Sequence, residues 1–147
     1  MKVGTDGVLL GAWCSLENFP KTILDIGTGT GIISLMLAQR SSAISIDGVE
    51  IDKSAFEQTV DNYENSDWSD RLCCYNASFQ KFADESNNQG VKYDLIVSNP
   101  PFYKEDYITS NISRNQARFT QFLTFKELIQ GVSQILSKSG FFSTIIP

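Results

Sequence analysis

Apolar residues along this 147-residue chain fall into short unbroken runs, separated by segments with helical spacing. Thr22 to Ile26 is one such run and reads as a buried strand, broken at once by a glycine-rich turn. Ile32 to Arg40 then has helical spacing. Ala43 to Glu50 is a second strand, ending in acidic residues. Lys53 to Asn65 reads as an amphipathic helix, with Phe56 and Val60 four apart on one face. Arg71 to Asn76 is a third strand, Ser86 to Gly90 has the composition of a loop, and Tyr93 to Ser98 is a fourth strand, apolar on both faces. A helix over Phe125 to Leu136, closed by Ser139 and Gly140, precedes a fifth strand, Phe141 to Ile146.

Strands that are apolar throughout and alternate with helices call for a parallel sheet covered on both sides. The expected fold is therefore a doubly wound α/β domain with a mostly parallel sheet. No repeat, low-complexity stretch or linker divides it, so residues 1–147 are expected to form a single domain. Pro147 follows a strand directly and Met1 to Leu10 reads as the middle of an element. A chain truncated at both ends is the expectation.

Composition narrows the chemistry. With 41% hydrophobic and 20% charged residues the chain suits one globular core. Its longest apolar stretches, such as Ile32 to Ala38, are too short to cross a bilayer, and no leader is visible. Cys14, Cys73 and Cys74 are odd in number and lack metal-ligand spacing, which fits a reduced, cytoplasmic chain with small buried thiols. The absence of histidine removes Ser-His-Asp and Cys-His nucleophile pairs and histidine-ligated metals. No metal site is expected. A net charge of −5 argues against strong RNA binding by this segment as a whole, while leaving room for a local basic patch.

Two motifs carry chemistry. The first is Asp25-Ile26-Gly27-Thr28-Gly29-Thr30-Gly31, at a strand-to-helix turn. Ligands of such sheets sit beyond the carboxyl ends of the strands, and glycines let the backbone approach them. The spacing is G-x-G-x-G, not the G-x-G-x-x-G of dinucleotide binders. Its leading Asp25 would repel a pyrophosphate but suits a cation such as the amino group or sulfonium of S-adenosylmethionine (AdoMet). Glu50 ends the next strand, where a carboxylate can accept from two ribose hydroxyls. Asp52 reads as a helix N-cap. After the third strand, Ala77-Ser78-Phe79 would border an adenine ring, with Phe79 equally suited to the core.

The second motif is Ser98-Asn99-Pro100-Pro101-Phe102 after the fourth strand. An exocyclic amine is a poor nucleophile because its lone pair is delocalised. Two acceptors, the Asn99 side-chain carbonyl and the Pro100 backbone carbonyl, would each take one amine hydrogen and turn the lone pair outward. Consecutive prolines restrain the loop, so the acceptors are preorganised. Phe102 offers a face for stacking a base. Methyl transfer then needs positioning more than a strong base.

Together these residues resemble the class I AdoMet methyltransferases of the amino-modifying, Asn-Pro-Pro-Tyr/Phe type, which are Rossmann-like. The opening Lys2-Val3-Gly4-Thr5-Asp6-Gly7, Gln116-Ala117-Arg118 and Gly140-Phe141-Phe142 look like the bacterial tRNA(Val) (adenine-N6)-methyltransferase family. The resemblance covers nearly the whole chain. It implies AdoMet held by Asp25, Gly27, Thr28, Gly29, Gly31, Glu50, Ile51, Ser78, Phe79 and Asn99, with Thr5 and Asp6 against the methionine end. It implies an adenine held by Asn99, Pro100, Pro101 and Phe102, and a tRNA anticodon loop as partner. Ser78 departs from the pattern, since many relatives carry Asp there. Arg114, Arg118, Lys104 and Lys126 are candidates for the RNA backbone, diluted by Glu105, Asp106 and Glu127. Rival readings are a protein-glutamine N5-methyltransferase, an rRNA guanine-N2 methyltransferase and, from another class, a nicotinamide-binding Rossmann module.

Overall fold

The computed structural model describes residues 4–100 and 123–146. Strands β1 (Thr22–Ile26), β2 (Ser45–Glu50), β3 (Leu72–Asn76), β4 (Tyr93–Ser98) and β5 (Leu136–Thr144) form one sheet in the order β3-β2-β1-β4-β5. Every pairing is parallel. The chain winds outward from β1 to β3, then returns to the other side of β1 for β4. That reversal opens a crevice between β1 and β4, where sheets of this class bind ligands.

Helices α1 (Thr5–Trp13), α2 (Ile32–Arg40) and α3 (Lys53–Glu64) lie on one face, and α4 (Phe79–Asn88) and α5 (Phe125–Ile135) on the other. Alternate residues of each strand feed the two cores. Ile23, Ile46, Leu95 and Val97 pack with Leu10, Ile33 and Leu37 on the first face. Leu24, Ile26, Val49 and Ile96 pack with Phe79, Phe82, Leu128 and Val132 on the second. The doubly wound reading stands.

Four local expectations differ. Of Met1 to Leu10, the described part is not the middle of an element, since α1 begins at Thr5 after Gly4. The buried face of α3 is Ala55, Thr59 and Tyr63, while Phe56 and Val60 are only half-buried. Ser86 to Gly90 is not all loop, because α4 runs to Asn88 and ends before Gly90, whose φ is +72°. Phe79, Phe82, Ala83 and Ser86 are buried at helical spacing, and that burial outweighs the poor helix preference of Ser and Asn. Finally, Ser139 and Gly140 do not separate helix from strand. The strand β5 starts at Leu136, and its register slips: Tyr93 to Leu95 on β4 faces Leu136 to Phe141 on β5. The small residues between accommodate the slack as a bulge, tied down where Ser137 Oγ donates to Asp94 Oδ1 at 2.9 Å.

Among the described residues, no helix is long and apolar enough to cross a membrane.

Candidate active site

Register brings the two motifs to one place. Ile26 of β1 pairs with Val49 of β2 on one side and Ser98 of β4 on the other. Gly27, Glu50 and Asn99 therefore follow the last aligned residues of three adjacent strands. Neighbouring strands lie about 4.8 Å apart, so the Asn99 and Gly27 backbones are roughly one strand spacing apart.

The glycine turn is set by its backbone. Gly27, Gly29 and Gly31 have φ of +67°, +61° and +83°, which a side chain would strain. Among the described residues, a Cβ at Gly27 would meet nothing within 4 Å, so the turn faces open space there. The helix α2 starts after Gly31 without a side-chain cap and without an acidic residue in its first turn. Its leading amides suit an anionic group.

Asp25 sits behind this turn, 1% exposed. Its Oδ2 accepts from Thr28 Oγ1 at 2.7 Å and from Ser34 Oγ at 2.8 Å. Its Oδ1 is buried and has no partner. Burial pushes the carboxyl up to about 6, against the pull of the two hydroxyls, and nearby Glu50 adds to the rise. An orphaned, buried carboxylate oxygen is costly to keep, and a bound ammonium would satisfy it. This is the feature that best fits the cationic end of AdoMet.

Glu50 is 8% exposed. Its Oε2 accepts from Gly29 N at 2.9 Å and its Oε1 from Asp52 N at 3.0 Å. Each oxygen retains a second acceptor site for a ribose hydroxyl. Asp52 caps α3, accepting from Ala55 N at 2.8 Å. Ile51 is exposed at the same edge. Ser78 caps α4, accepting from Lys81 N at 3.3 Å, and keeps its hydroxyl hydrogen. Phe79 is 5% exposed and belongs to the core, its ring lodged where Gly131 of α5 carries no side chain. Of its two readings, packing is the one its surroundings favour.

Asn99 is half-buried, with its Nδ2 3.5 Å from the position a Cβ on Gly7 would take. Thr5 and Asp6 are exposed in the first turn of α1, directly ahead of that contact. The Asn99 backbone is fixed by the residue before it. Ser98 Oγ donates to Ile26 O at 3.0 Å, and Ser98 O accepts from Thr144 Oγ1 at 2.8 Å. Pro100 is half-buried. Pro101, Phe102, Lys104, Glu105, Asp106, Arg114, Gln116, Ala117 and Arg118 lie outside the described residues. Lys126 is exposed, and Glu127 belongs to a capping box with Thr124.

The sequence reading missed the underside of the glycine turn. Thr59 Oγ1 donates to Gly29 O at 2.5 Å, Asn62 Nδ2 to Thr30 O at 2.8 Å, and Tyr63 Oη lies 3.3 Å from Thr28 Oγ1. Three positions on one face of α3 thus hold three successive turn residues. The available signal was their i, i+3, i+4 spacing. Cysteine expectations also shift: Cys14 is buried, Cys74 half-buried and Cys73 exposed. Burial pushes the Cys74 thiol up to about 12, with Glu50 and Asp25 adding to it, so it is no nucleophile at neutral pH.

Comparisons with known proteins agree with this arrangement. A curated protein of Christiangramia forsetii named tRNA1(Val) (adenine(37)-N6)-methyltransferase is 61% identical over 147 residues, all of this chain and 61% of its own length. One of the same name from Flavobacterium psychrophilum is 56% identical over all of this chain and 62% of its own length. This chain thus spans about three-fifths of the length of these relatives. Among solved structures, the SAM-dependent methyltransferase from Agrobacterium tumefaciens superposes with a TM-score of 0.69 at 17% identity, over 97% of this chain and 45% of that one. That likeness speaks for the fold alone. The family model of the methyltransferase small domain matches residues 8–145. With the match running from inside α1 to just past β5, the chain belongs to the methyltransferase small domain family.

Proposed function

We propose that this chain is the cofactor- and amine-binding core of an N-methyltransferase that uses AdoMet to methylate adenine N6 in a tRNA anticodon loop. The observation that carries the reading is the Ile26 to Ser98 pairing across the β1–β4 crevice, which sets Asn99 beside the glycine turn. The relatives' shared name supports the substrate.

AdoMet would supply an electrophilic methyl group on a sulfonium. The remaining tasks fall to the chain. Asp25 Oδ1 meets the ammonium, and Glu50 takes the ribose hydroxyls with its spare acceptor sites. Ser78 offers its hydroxyl hydrogen to the adenine of the cofactor, beside the apolar Ile51. Thr5 and Asp6 border the methionine end. On the acceptor side, Asn99 Oδ1 and the Pro100 carbonyl each hold one hydrogen of the target amine. Drawing both hydrogens out of the base plane returns the lone pair to nitrogen and aims it across the crevice. The proton released after transfer is held at Asn99 Oδ1 and leaves to solvent, so no strong base is required. Pro101 stiffens the loop and Phe102 stacks the target base, at about 1–3 kcal/mol. An anticodon loop presents unpaired bases, so no duplex need be opened. The same reading makes residues 1–147 one domain of a cytoplasmic tRNA-binding enzyme that needs no metal.

Incubation with AdoMet and bulk tRNA, followed by nucleoside analysis, tests this. N6-methyladenosine is expected, and tRNA with the target adenine replaced stays unmodified. Methyl groups on guanine N2 or on protein glutamine instead would overturn the substrate.

A further inference from the structure

The hydroxyl groups under the glycine turn form a directed chain. Thr28 Oγ1 and Ser34 Oγ both stand within 2.8 Å of Asp25 Oδ2, and each hydroxyl has a single hydrogen to give. With both hydrogens committed to the carboxylate, the 3.4 Å approach of Thr28 and Ser34 is a contact without a proton between them. Thr28 Oγ1 can then only accept from Tyr63 Oη, 3.3 Å away. Burial and nearby Asp25 push the Tyr63 hydroxyl far above its ordinary range, so it keeps its proton. The order runs from Tyr63, whose hydroxyl bears on both Ser34 and Thr28, to Asp25, each bond polarising the next.

The fold gives up two side chains to admit this tyrosine. A Cβ on Gly48 would lie 2.7 Å from Tyr63 Oη, and one on Gly31 2.7 Å from its Cε1. Tyr63 is 3% exposed and comes from α3, outside both motifs. A tyrosine wanted only for bulk would need no hydroxyl, and its hydroxyl occupies the space that Gly48 vacates.

We infer that Tyr63 is a positioning residue for the cofactor, acting through the Thr28 and Ser34 hydroxyls on Oδ2 to hold the Asp25 carboxylate ionised with its buried Oδ1 left unpaired. Other groups bearing on this pocket are Glu50 on β2, Cys74 on β3 and Cys14 after α1, and none of them is altered in the test.

The first arm of the test needs no cofactor and does not depend on the proposed function. Carboxyl carbon NMR of the apo protein follows the Asp25 titration in wild type and Tyr63→Phe. The midpoint should move upward by about half a unit or more, the size expected from losing one polarising hydrogen bond. An unchanged or lowered midpoint overturns the inference. The second arm measures AdoMet affinity against pH. For a half-unit shift, Tyr63→Phe should weaken binding about threefold near pH 5, about 1.5-fold near pH 6.5 and not measurably at pH 8.5. An equal loss at all pH values means a purely structural role and overturns it. Failure of AdoMet to bind wild type would count against the proposed function, leaving the first arm to stand or fall alone. Should Tyr63→Phe not fold, Thr28→Val cuts the chain at its other link and must raise the Asp25 midpoint in the same way.

Discussion

At the ends of β1 and β2, side chains hold one another: two hydroxyls on Asp25, two backbone amides on Glu50, and three residues of α3 under the turn. At the end of β4, what is pinned is main chain. Ser98 is tied to β1 by its hydroxyl and to β5 by its carbonyl, and Asn99 follows as the next residue. The proposed cofactor side is therefore part of the folding core, and altering it should change stability and affinity together. The proposed amine side is carried on a fixed backbone, so the Asn99 amide can be altered with little effect on the frame.

The sharpest break in this comparison is Asn99→Ala. With one of two preorganised acceptors gone, kcat should fall about 10²–10³-fold. AdoMet affinity and thermal stability should stay within twofold and a degree or two of wild type. Single-turnover kinetics with calorimetric AdoMet binding separates the two. A large loss of affinity would show that the amide serves the cofactor side.

Asp25→Asn should do the opposite. Removing the charge that faces the ammonium should weaken AdoMet binding at least about 30-fold at pH 8. In the wild type, binding should weaken about tenfold per unit as pH falls below about 6, where Asp25 protonates. Stability of the apo protein has its own signature. The carboxyl is raised from 3.8 to about 6, so the protonated form is the one folding favours. That contribution is fully present below pH 3.8 and lost as pH rises through 6, on the order of 3 kcal/mol in all. Asp25→Asn should lack this loss, so its stability relative to wild type grows between pH 4 and pH 7 in urea titrations. Parallel curves would mean that Asp25 does not titrate in this window.

Glu50→Gln tests the other side-chain anchor. Both carboxylate oxygens accept from backbone amides, and a Gln Nε2 would point a donor at one of these donors. About 1–3 kcal/mol of stability should be lost with a drop in adenosine affinity. Unchanged unfolding with weakened binding would place Glu50 outside the folding core and blur the contrast.

The same contrast explains what could be read from the sequence. The strands stood out because Ile23, Leu24, Leu95 and Ile96 are buried on both faces of the sheet and must all be apolar. Gly27, Gly29, Glu50 and Asn99 stood out because strand ends are where such sheets bind ligands. Thr59, Asn62 and Tyr63 did not, because polar residues at helical spacing look the same whether they face water or a turn. Phe79 could not be assigned between core and cofactor until the space at Gly131 was known. The bulge in β5 was hidden because Ser139 and Gly140 read as a stop, and only pairing with β4 shows the strand passing through them.

Thr144→Val should give the smallest effect and probes the backbone pinning directly. Thr144 Oγ1 donates to Ser98 O at 2.8 Å, the carbonyl of the peptide that leads into Asn99. Valine keeps the β-branched shape that suits a strand and removes only the donor. Stability should drop by about 1 kcal/mol. If the Ser98 peptide is the frame for the amide, releasing one of its two ties should lower kcat several-fold while the Kd for AdoMet stays unchanged, because the Thr144 hydroxyl bonds only Ser98 and Ile145 among the described residues. A matching change in Kd would mean that the two sides share one frame, since Ser98 is also tied to Ile26 at the root of the glycine turn. An unchanged kcat would mean that the bond to β1 suffices to hold Asn99.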